Sequence, residues 1–470
     1  MKKSLFIKKA AAIALSVAMT VTALSGCGQK ESIKDENGRI KISVGAWPSK
    51  EGKELDSINQ LKERYEKANP EYVIVPDNWQ FDLKSFYAKA AGKNLPTVFM
   101  ANFTEVSQVI EGGYSANLTD TLKKNGLFDK FNQDIFKAVA KDGDLYGFPS
   151  SAYALGLGCN MDLMKAAGLV DADGTPKQPK DWEEVREFAV KIKEATGKPG
   201  FIIPTSNNSG GWMFMPIAWS YGVEFMKKDG DKWKATFDCP EAVAALQYIK
   251  DLKWKYDVLP TNALIDNSEY YKVIGTGNAG MYIATGEYSG SAVQYGMEPS
   301  QVGMLAMPRG PKKHATLLGG IVYFVSPNAT EEQIDGAVKW LETSYTPEIS
   351  EDYKISYTNA IDVKLSRNIA VGVKSMTVWN GESDTVKFRD ELINQKANLN
   401  INQVKRYNDF ITNLGDCELR SEEPVCAQEL YGILDNCIQE VLTNKDADCA
   451  ELIKKASSDF QLNYLDNTDY

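Results

Sequence analysis

Residues 144–170 read DLYGFPSSAYALGLGCNMDLMKAAGLV, and the organisation of the chain follows from this segment. It begins as an extended segment that ends at 147–149, passes through small and polar residues at 150–152, and becomes a second extended run over 153–159. Apolar residues at helical spacing follow over 161–167. The small, polar segment over 150–152 connects one strand to a second strand and a helix. This is the pattern of a chain that leaves one lobe and begins another. The sequence therefore predicts a hinge in this stretch.

Size and composition indicate a folded protein with more than one core. The chain has 470 residues, which is too long for a single compact core and indicates two lobes or more. Hydrophobic residues make up 43% and charged residues 25%, as in ordinary globular proteins. Strand and helix patterns alternate on both sides of the hinge. This alternation predicts α/β lobes, each a mainly parallel sheet flanked by helices.

The first residues have the pattern of an export signal. Four lysines precede an apolar run over 10–24, which is shorter than the roughly 18 or more residues of a membrane span. LSGC at 24–27 resembles the lipobox of bacterial lipoproteins, which implies cleavage before Cys27 and lipid on its thiol. The alternative is an unmodified cysteine after an ordinary signal peptide. We expect a signal peptide over 1–26, a polar tether over 27–39, and lipid anchoring to the cell membrane on its extracytoplasmic face.

The net charge limits the kinds of binding partner that we expect, and the cysteine content indicates the redox state of the cellular compartment. Removal of the signal peptide takes away four lysines and no acids, so the formal net charge changes from −10 to −14. We do not expect an exported protein this acidic to bind nucleic acid. Two disulfides within a cluster of four cysteines fit an oxidising compartment, and the spacing leaves their pairing open. This cluster consists of Cys417, Cys426, Cys437 and Cys449.

In the first lobe, three predicted strands end in aromatic and amide residues. The strands cover 41–47, 72–75 and 97–100, and the helices between them cover 55–68 and 83–91. In a parallel sheet, ligands sit beyond the carboxyl ends of the strands. We therefore predict ligand-binding residues at these ends. They are Trp47, Asn78, Trp79, Asn102 and Phe103.

The chain after the hinge repeats the same alternation and then returns to the first lobe. The apolar strand over 317–327 reads as this return. We expect lobe 1 to comprise 40–150 plus about 317–378, and lobe 2 to comprise 151–316 plus about 379–470.

Several local patterns, in their order and spacing, resemble the extracellular solute-binding lipoproteins of ABC importers, in the maltose-binding-like family that serves mainly carbohydrates. After the lipobox, these are LPTVFM at 95–100, DLYGFP at 144–149, GNAGMYI at 277–283 and GGIVYFVSPNATEEQIDGAVKWL at 319–341. The resemblance implies a periplasmic-binding-protein-like fold, in which two lobes joined by two or three crossings close on a ligand. It also implies a monomeric, non-catalytic receptor whose partners are a carbohydrate and the permease subunits of a transporter.

Candidate site residues follow from the chemistry of sugars together with this resemblance. A sugar has hydroxyls around its rim and apolar faces, so its site needs flat rings together with amides and carboxylates. Trp212, and Tyr288 with Glu287 beside it, stand where the family often has rings that line the cleft. Ser151 and Tyr153 would face the floor of the cleft if the hinge is where we predict it.

Three further residues complete the set of candidates. Trp219 lies one heptad after Trp212, and such a position is more often part of the core. Gly320 would let its strand approach the ligand closely, but a glycine pair is as often used to pack lobes together. Trp379 comes from the weakly matched end of the chain.

We expect no catalytic site, no metal and no cofactor. His314 is the only histidine, which argues against a Ser-His-Asp triad and against a multi-histidine metal site. GTGNAG over 275–280 has the letters of a dinucleotide fingerprint, but an extended run follows it where a helix is required. DADG over 171–174 begins like a calcium loop but has no closing glutamate.

Two alternatives stay open. The first keeps the receptor class and changes the ligand to a polyamine, a glycerol phosphate or a ferric ion; Tyr270 and Tyr271 are similar to the paired tyrosines of iron binders. The second is a secreted glycan-cleaving enzyme with two acids in the cleft. Adjacent acids such as Glu183 and Glu184 fall in the first turn of a predicted helix, where the helix dipole explains them better.

Overall fold

The computed structural model of the chain describes residues 32–467. The predicted signal peptide and the lipidation residue Cys27 lie outside the described residues. The described part of the predicted tether, 32–39, forms a turn in which the Asp35 carboxylate pairs with Arg39 at 2.8 Å. Over the described range, no helix is both long and apolar enough to cross a membrane.

Between residues 32 and 467 the structure contains fourteen strands. In chain order they are β1 (Ile40–Val44), β2 (Tyr72–Pro76), β3 (Val98–Asn102), β4 (Ala140–Lys141), β5 (Asp144–Leu145), β6 (Gly147–Ala154), β7 (Gly156–Asn160), β8 (Phe201–Ile202), β9 (Met226–Asp229), β10 (Lys232–Ala235), β11 (Met281–Ala284), β12 (Val302–Leu305), β13 (Ala315–Val325) and β14 (Glu418–Arg420).

The same range contains seventeen α-helices. They are α1 (Lys53–Ala68), α2 (Leu83–Ala91), α3 (Val106–Glu111), α4 (Thr119–Lys124), α5 (Gln133–Ala138), α6 (Met161–Ala166), α7 (Trp182–Thr196), α8 (Ser209–Tyr221), α9 (Pro240–Trp254), α10 (Asn267–Gly275), α11 (Tyr288–Ala292), α12 (Glu331–Ser344), α13 (Glu351–Ser366), α14 (Asp384–Gln395), α15 (Lys405–Thr412), α16 (Ala427–Thr443) and α17 (Cys449–Asn463).

The first sheet is mainly parallel, as predicted. Its strand order is β14-β13-β3-β1-β2, and β6 pairs with β13. β1 is parallel to β2 and to β3, and β14 is parallel to β13. β13 lies between β3 and β6 and is antiparallel to both, because it is the strand that returns from the second lobe. The carboxyl ends of β1, β2 and β3 therefore lie at one edge of the sheet.

The second sheet differs from the mainly parallel sheet that we expected. Its strand order is β12-β7-β11-β8, and only the β11–β8 pair is parallel. β7 enters this sheet directly from the first one and runs antiparallel to both of its neighbours. The second lobe is therefore a mixed sheet.

The chain passes from the first sheet to the second slightly further along than the predicted hinge. β6 does not break at 150–152 but continues to Ala154, and Leu155 alone separates it from β7 of the second sheet. The strand accommodates an extra residue as a β-bulge: Ile321 pairs with Ser151, and Val322 pairs with Pro149, two residues away. The polar joint read from the sequence is therefore a bulge within a strand.

α8 is the element around which the second lobe is packed. Apart from Trp212 and Tyr221, its residues are buried, because α9 and α16 pack against it. The helix carries apolar residues on all sides, as expected for a helix enclosed by other elements. Its first turn packs so closely on α16 that a Cβ at Gly211 would lie 2.3 Å from the Tyr431 carbonyl oxygen. The position of the α8 N-terminus is thus fixed by α16.

The predicted disulfides are absent from the structure. In the described residues, Cys417, Cys437 and Cys449 are buried thiols that form no disulfide. Burial raises the pKa of the Cys417 and Cys437 thiols to about 12. Cys437 of α16 and Cys449 of α17 belong to the hydrophobic core.

Candidate ligand-binding cleft

A cavity of about 410 Å³ lies where β3, β6 and β13 of the first sheet meet α8 and α16 of the second lobe. We call it the interlobe cavity. Within the described chain, its lining combines rings, amides, hydroxyls and one carboxylate, with no lysine, arginine or histidine. The rings are Phe103, Tyr153, Trp212 and Tyr431; the amides are Asn102, Asn207, Asn208, Asn267 and Gln428; the carboxylate is Glu422.

The structure brings six of the thirteen predicted site residues together in this lining. Two come from the end of β3, two from β6, one from α8 and one from β13, so that both lobes contribute. They are Asn102, Phe103, Ser151, Tyr153, Trp212 and Gly320. Residues that are far apart in the chain thus meet because β6 continues almost directly into β7 and places the two sheets side by side.

Four of the remaining candidates are buried in the interiors of the lobes. Trp47 is 5% exposed and stacks on Trp340, with ring centroids 6.0 Å apart. Trp379 stacks on Phe131 at 4.5 Å. Both rings therefore contribute to the packing of the first lobe and do not line the interlobe cavity.

Trp219 and Tyr288 are enclosed in a similar way. Trp219 is fully buried, and its indole Nε1 donates to Glu423 at 3.0 Å. The Tyr288 hydroxyl accepts a hydrogen bond from Tyr282 at 3.0 Å. Rings held by such buried hydrogen bonds are part of the core, and neither borders the interlobe cavity.

The last three candidates lie nearer the surface, away from the interlobe cavity. Glu287 is exposed and pairs with Lys364 at 3.1 Å. Asn78 is exposed, and Trp79 is half-buried, with its indole Nε1 donating to the Ser85 hydroxyl at 2.8 Å. Trp79 follows the end of β2, which is separated from β13 by β1 and β3, whereas β13 borders the cavity.

Glu422 is the centre of the hydrogen bonding in the cavity. Its Oε1 accepts from the Trp212 indole at 2.9 Å, and its Oε2 accepts from the Tyr431 hydroxyl at 2.6 Å. Burial raises the pKa of this carboxyl, and hydrogen bonds from Tyr431, Trp212 and Thr104 oppose the shift. One carboxylate therefore holds two of the four rings in fixed positions.

A second buried acid lies nearby. Glu105 accepts a hydrogen bond from the Asn102 backbone N–H at 3.0 Å. Burial, together with the charge of Glu422, raises the pKa of Glu105 to about 7. Because Glu422 faces the interlobe cavity and no cationic side chain does so in the described lining, the cavity disfavours an anion.

The N-terminus of α8 is a second reason why the interlobe cavity disfavours an anion. Helix N-termini bind anions through their unpaired N–H groups, and Asn207, Asn208 and Ser209 do line the cavity. The Asp435 carboxylate of α16, however, already accepts from the backbone N–H groups of Asn208 at 2.6 Å and Gly211 at 2.7 Å. A carboxylate of the protein therefore occupies the place that a ligand phosphate would take.

Gly319 and Gly320 allow β13 to pack closely against β6. Gly320 has a φ of 138°, and a Cβ at this position would lie 2.1 Å from the Ser151 carbonyl oxygen. A Cβ at Gly319 would lie 2.2 Å from the Tyr153 ring. Gly320 lines the cavity, yet its lack of a side chain is explained by the packing of β13 on β6.

Sequence reasoning missed Glu422, Gln428 and Tyr431. They lie more than 200 residues after Trp212, in a part of the chain where the strand and helix patterns are weak. One signal was available: Glu422 and Glu423 precede α16 and so fall outside any first helical turn. The helix dipole therefore does not explain this adjacent pair of acids.

Two α/β lobes, joined through β6, β13 and the segment around β14, enclose a polar cavity lined by rings, and this arrangement defines a two-lobed solute-binding protein. The family described as bacterial extracellular solute-binding protein matches residues 50–351. The chain belongs to this family.

Curated relatives carry the name sn-glycerol-3-phosphate-binding periplasmic protein UgpB. That of Salmonella typhimurium is 24% identical over 331 residues, which cover 66% of this chain and 72% of the relative. That of Escherichia coli (strain K12) is 23% identical over 338 residues, which cover 67% and 73%.

Solved structures of two-domain periplasmic binding proteins confirm the two-lobed α/β prediction. The cyclic alpha-maltosyl-1,6-maltose binding protein from Arthrobacter globiformis matches with a TM-score of 0.64 and 21% identity, over 90% of this chain and 98% of the other. UgpB from Mycobacterium tuberculosis, in complex with glycerophosphocholine, matches with a TM-score of 0.63 and 16% identity over the same shares. At these identities the likeness establishes the fold.

Proposed function

We propose that the chain is the receptor of an ABC importer, that it captures a neutral carbohydrate in the interlobe cavity, and that lipid on Cys27 holds it at the extracytoplasmic face of the cell membrane. The observation that carries the ligand class is the lining of rings and amides, without a cationic side chain in the described residues. Rings stack on the apolar faces of a sugar, and amides bond its hydroxyls.

Glycerol phosphate is the second candidate, because curated relatives are named for it. A phosphate ester needs cationic side chains or an open helix N-terminus. Here Asp435 occupies the N–H groups at the start of α8, and Glu422 faces the cavity. Both carboxylates would repel a phosphate, so the site favours a neutral sugar over an anionic one.

Cationic ligands find little support in the same site. A polyamine carries several ammonium groups, whereas Glu422 is the single carboxylate in the described lining of the interlobe cavity. For a ferric ion, the tyrosine pair would have to present both hydroxyls. Tyr270 is fully buried, and its hydroxyl donates to the Ile283 carbonyl at 2.6 Å.

A glycan-cleaving enzyme would need two carboxyls that reach the scissile bond. Glu422 is engaged by Trp212 and Tyr431, and Glu105 bonds the Asn102 backbone. Both acids thus have structural partners, which favours a receptor over an enzyme.

A thermal-shift screen of the full chain tests the proposal, with neutral mono- and oligosaccharides compared with glycerol 3-phosphate, spermidine and ferric citrate. A ligand that binds only the folded state adds about 2.7 kcal/mol at a hundredfold excess over its Kd. We expect a shift with one neutral sugar family only. A shift with glycerol 3-phosphate alone would overturn the ligand class, and turnover of a bound glycan would overturn the receptor class.

A further inference from the structure

A second and larger cavity, of about 1,290 Å³, lies on the first lobe. We call it the α1–α13 groove. One wall is α1, from Lys53 to Lys67, and the other is the first half of α13. An ion pair between Arg64 and Asp352, at 2.7 Å, ties the two walls together. The floor consists of Met100, Tyr323, Trp340 and Tyr345.

The floor of the groove continues the lining of the interlobe cavity. On β3, Asn102 lines the interlobe cavity and Met100 lines the groove. On β13, Ile321 lines the interlobe cavity and Tyr323 lines the groove. The two strands are paired so that Ile321 lies opposite Asn102 and Tyr323 lies opposite Met100. Residues two apart on a strand point to the same face and are about 7 Å apart. The two cavities therefore adjoin on one face of the first sheet.

The junction between them is built from hydroxyl groups. The β-bulge leaves Ser150 without a partner residue, and its hydroxyl donates to the Ile321 carbonyl at 3.3 Å. The Tyr323 and Tyr345 hydroxyls are 3.0 Å apart, and Tyr345 also interacts with Ser150. Bulges re-aim side chains next to binding sites. Hydroxyls at this point suit a ligand that has hydroxyls along its length.

We propose that the interlobe cavity and the α1–α13 groove form one continuous site for an oligosaccharide longer than a disaccharide. This inference rests on the proposed function and specifies the size of its ligand. The interlobe cavity alone, at about 410 Å³, is near the lower end of small-molecule sites. The groove is about three times as large and adds the half-buried ring of Tyr353. One end of the sugar chain lies between the lobes, and the rest passes the junction to lie between α1 and α13.

Calorimetric titration of the full chain with a length series tests this inference. The series runs from the monosaccharide to the heptasaccharide of the sugar family that stabilises the protein. We expect the Kd to fall at least about tenfold between the disaccharide and the longer members. Equal affinity for the disaccharide and all longer members would overturn the inference and leave the proposed function standing. No binding at any length would overturn both.

Two variants of Tyr353 test whether the α1–α13 groove provides the added affinity for longer sugars. Tyr353→Ala removes a ring from the groove, and we expect it to weaken binding of the longer sugars by about tenfold while the Kd of the disaccharide is unchanged. Tyr353→Phe keeps the ring and should restore the wild-type length dependence. If Tyr353→Ala weakened the disaccharide and the longer sugars equally, the groove would not hold the ligand. The length series on the wild-type chain decides the matter if the alanine variant does not fold.

Discussion

The indole of Trp212 donates from Nε1 to Glu422 at 2.9 Å and so connects α8 with the segment that enters α16. The other oxygen of Glu422 accepts from the Tyr431 hydroxyl at 2.6 Å. A half-buried ring held in this way loses little conformational freedom when a ligand stacks on it. The proposed sugar site therefore depends on a carboxylate that orients rings.

Glu422→Gln tests this orienting role. The amide keeps one acceptor oxygen and replaces the other with a donor, so either Trp212 or Tyr431 loses its acceptor. We expect the Kd for the bound sugar to rise at least about tenfold, which corresponds to about 1.4 kcal/mol. Calorimetric titration measures the change.

Glu423→Gln is the matched control. It makes the same change one residue away, but Glu423 accepts from the buried Trp219 and does not line the interlobe cavity. We expect the Kd to stay within about twofold of wild type. Equal losses of affinity in the two variants would contradict the specific role of Glu422.

The two tryptophans of α8 have separable roles. Trp212→Ala removes a ring that borders the cavity, and we expect sugar affinity to fall about tenfold or more. Trp219→Ala removes a fully buried ring, and we expect the free energy of unfolding to fall by about 3–5 kcal/mol. Titration and urea unfolding of both variants measure the two effects. Wild-type affinity in Trp212→Ala would exclude this ring from the site.

Two buried acids have raised pKa values, and we therefore predict that the free energy of unfolding declines as the pH rises. Burial and the charge of Glu422 raise the pKa of Glu105 to about 7, above its ordinary value of 4.5. The folded state therefore holds this proton more tightly than the unfolded chain. Its contribution to the free energy of unfolding is fully present below about pH 4.5 and is lost as the pH rises to about 7, by up to about 3 kcal/mol.

Glu105→Gln isolates this contribution. The amide oxygen still accepts from the Asn102 backbone, but the side chain no longer titrates. Urea unfolding at pH 5 and pH 8 should give a smaller difference for the variant than for wild type. Glu423, whose pKa burial also raises to about 7, retains its own share of the decline in both proteins. Identical differences in the two proteins would show that Glu105 does not titrate as described.

Tyr288→Phe separates packing from ligand binding at a residue that the resemblance suggested for the site. The change removes the hydroxyl that accepts from Tyr282, inside the core of the second lobe. We expect the free energy of unfolding to fall by about 1 kcal/mol and the sugar affinity to stay unchanged. A loss of affinity without a loss of stability would return Tyr288 to the list of ligand contacts.

Elements with a strong local pattern were predictable from the sequence. α2 has the predicted bounds of 83–91, because its apolar periodicity marks it clearly. Glu183 and Glu184 lie in the first turn of a helix, α7, as predicted. α13 was missed because its apolar residues form no single stripe. Ile355 and Val363 are exposed, whereas Ile361 is buried in a small separate cluster. Local sequence cannot reveal a helix that is held mainly by such distant contacts.

The site was partly predictable for a related reason. Asn102 and Phe103 follow from the rule that ligands lie at the ends of parallel strands, and Ser151 and Tyr153 follow from the hinge. Trp47 obeys the same rule in the sequence, but the structure stacks it on Trp340 of a helix almost 300 residues later. Whether a ring faces a cleft or a core depends on partners of this kind, which neither periodicity nor spacing encodes.

Calorimetric titration of the wild-type full chain, with a neutral oligosaccharide series and with glycerol 3-phosphate, decides whether the interlobe cavity binds a neutral sugar. The cavity combines four rings with five amides, Glu422 faces into it, and Asp435 closes the α8 N-terminus. We predict saturable binding of a neutral oligosaccharide and no heat of binding with glycerol 3-phosphate. Saturable binding of glycerol 3-phosphate, with none of the sugars bound, would contradict the account.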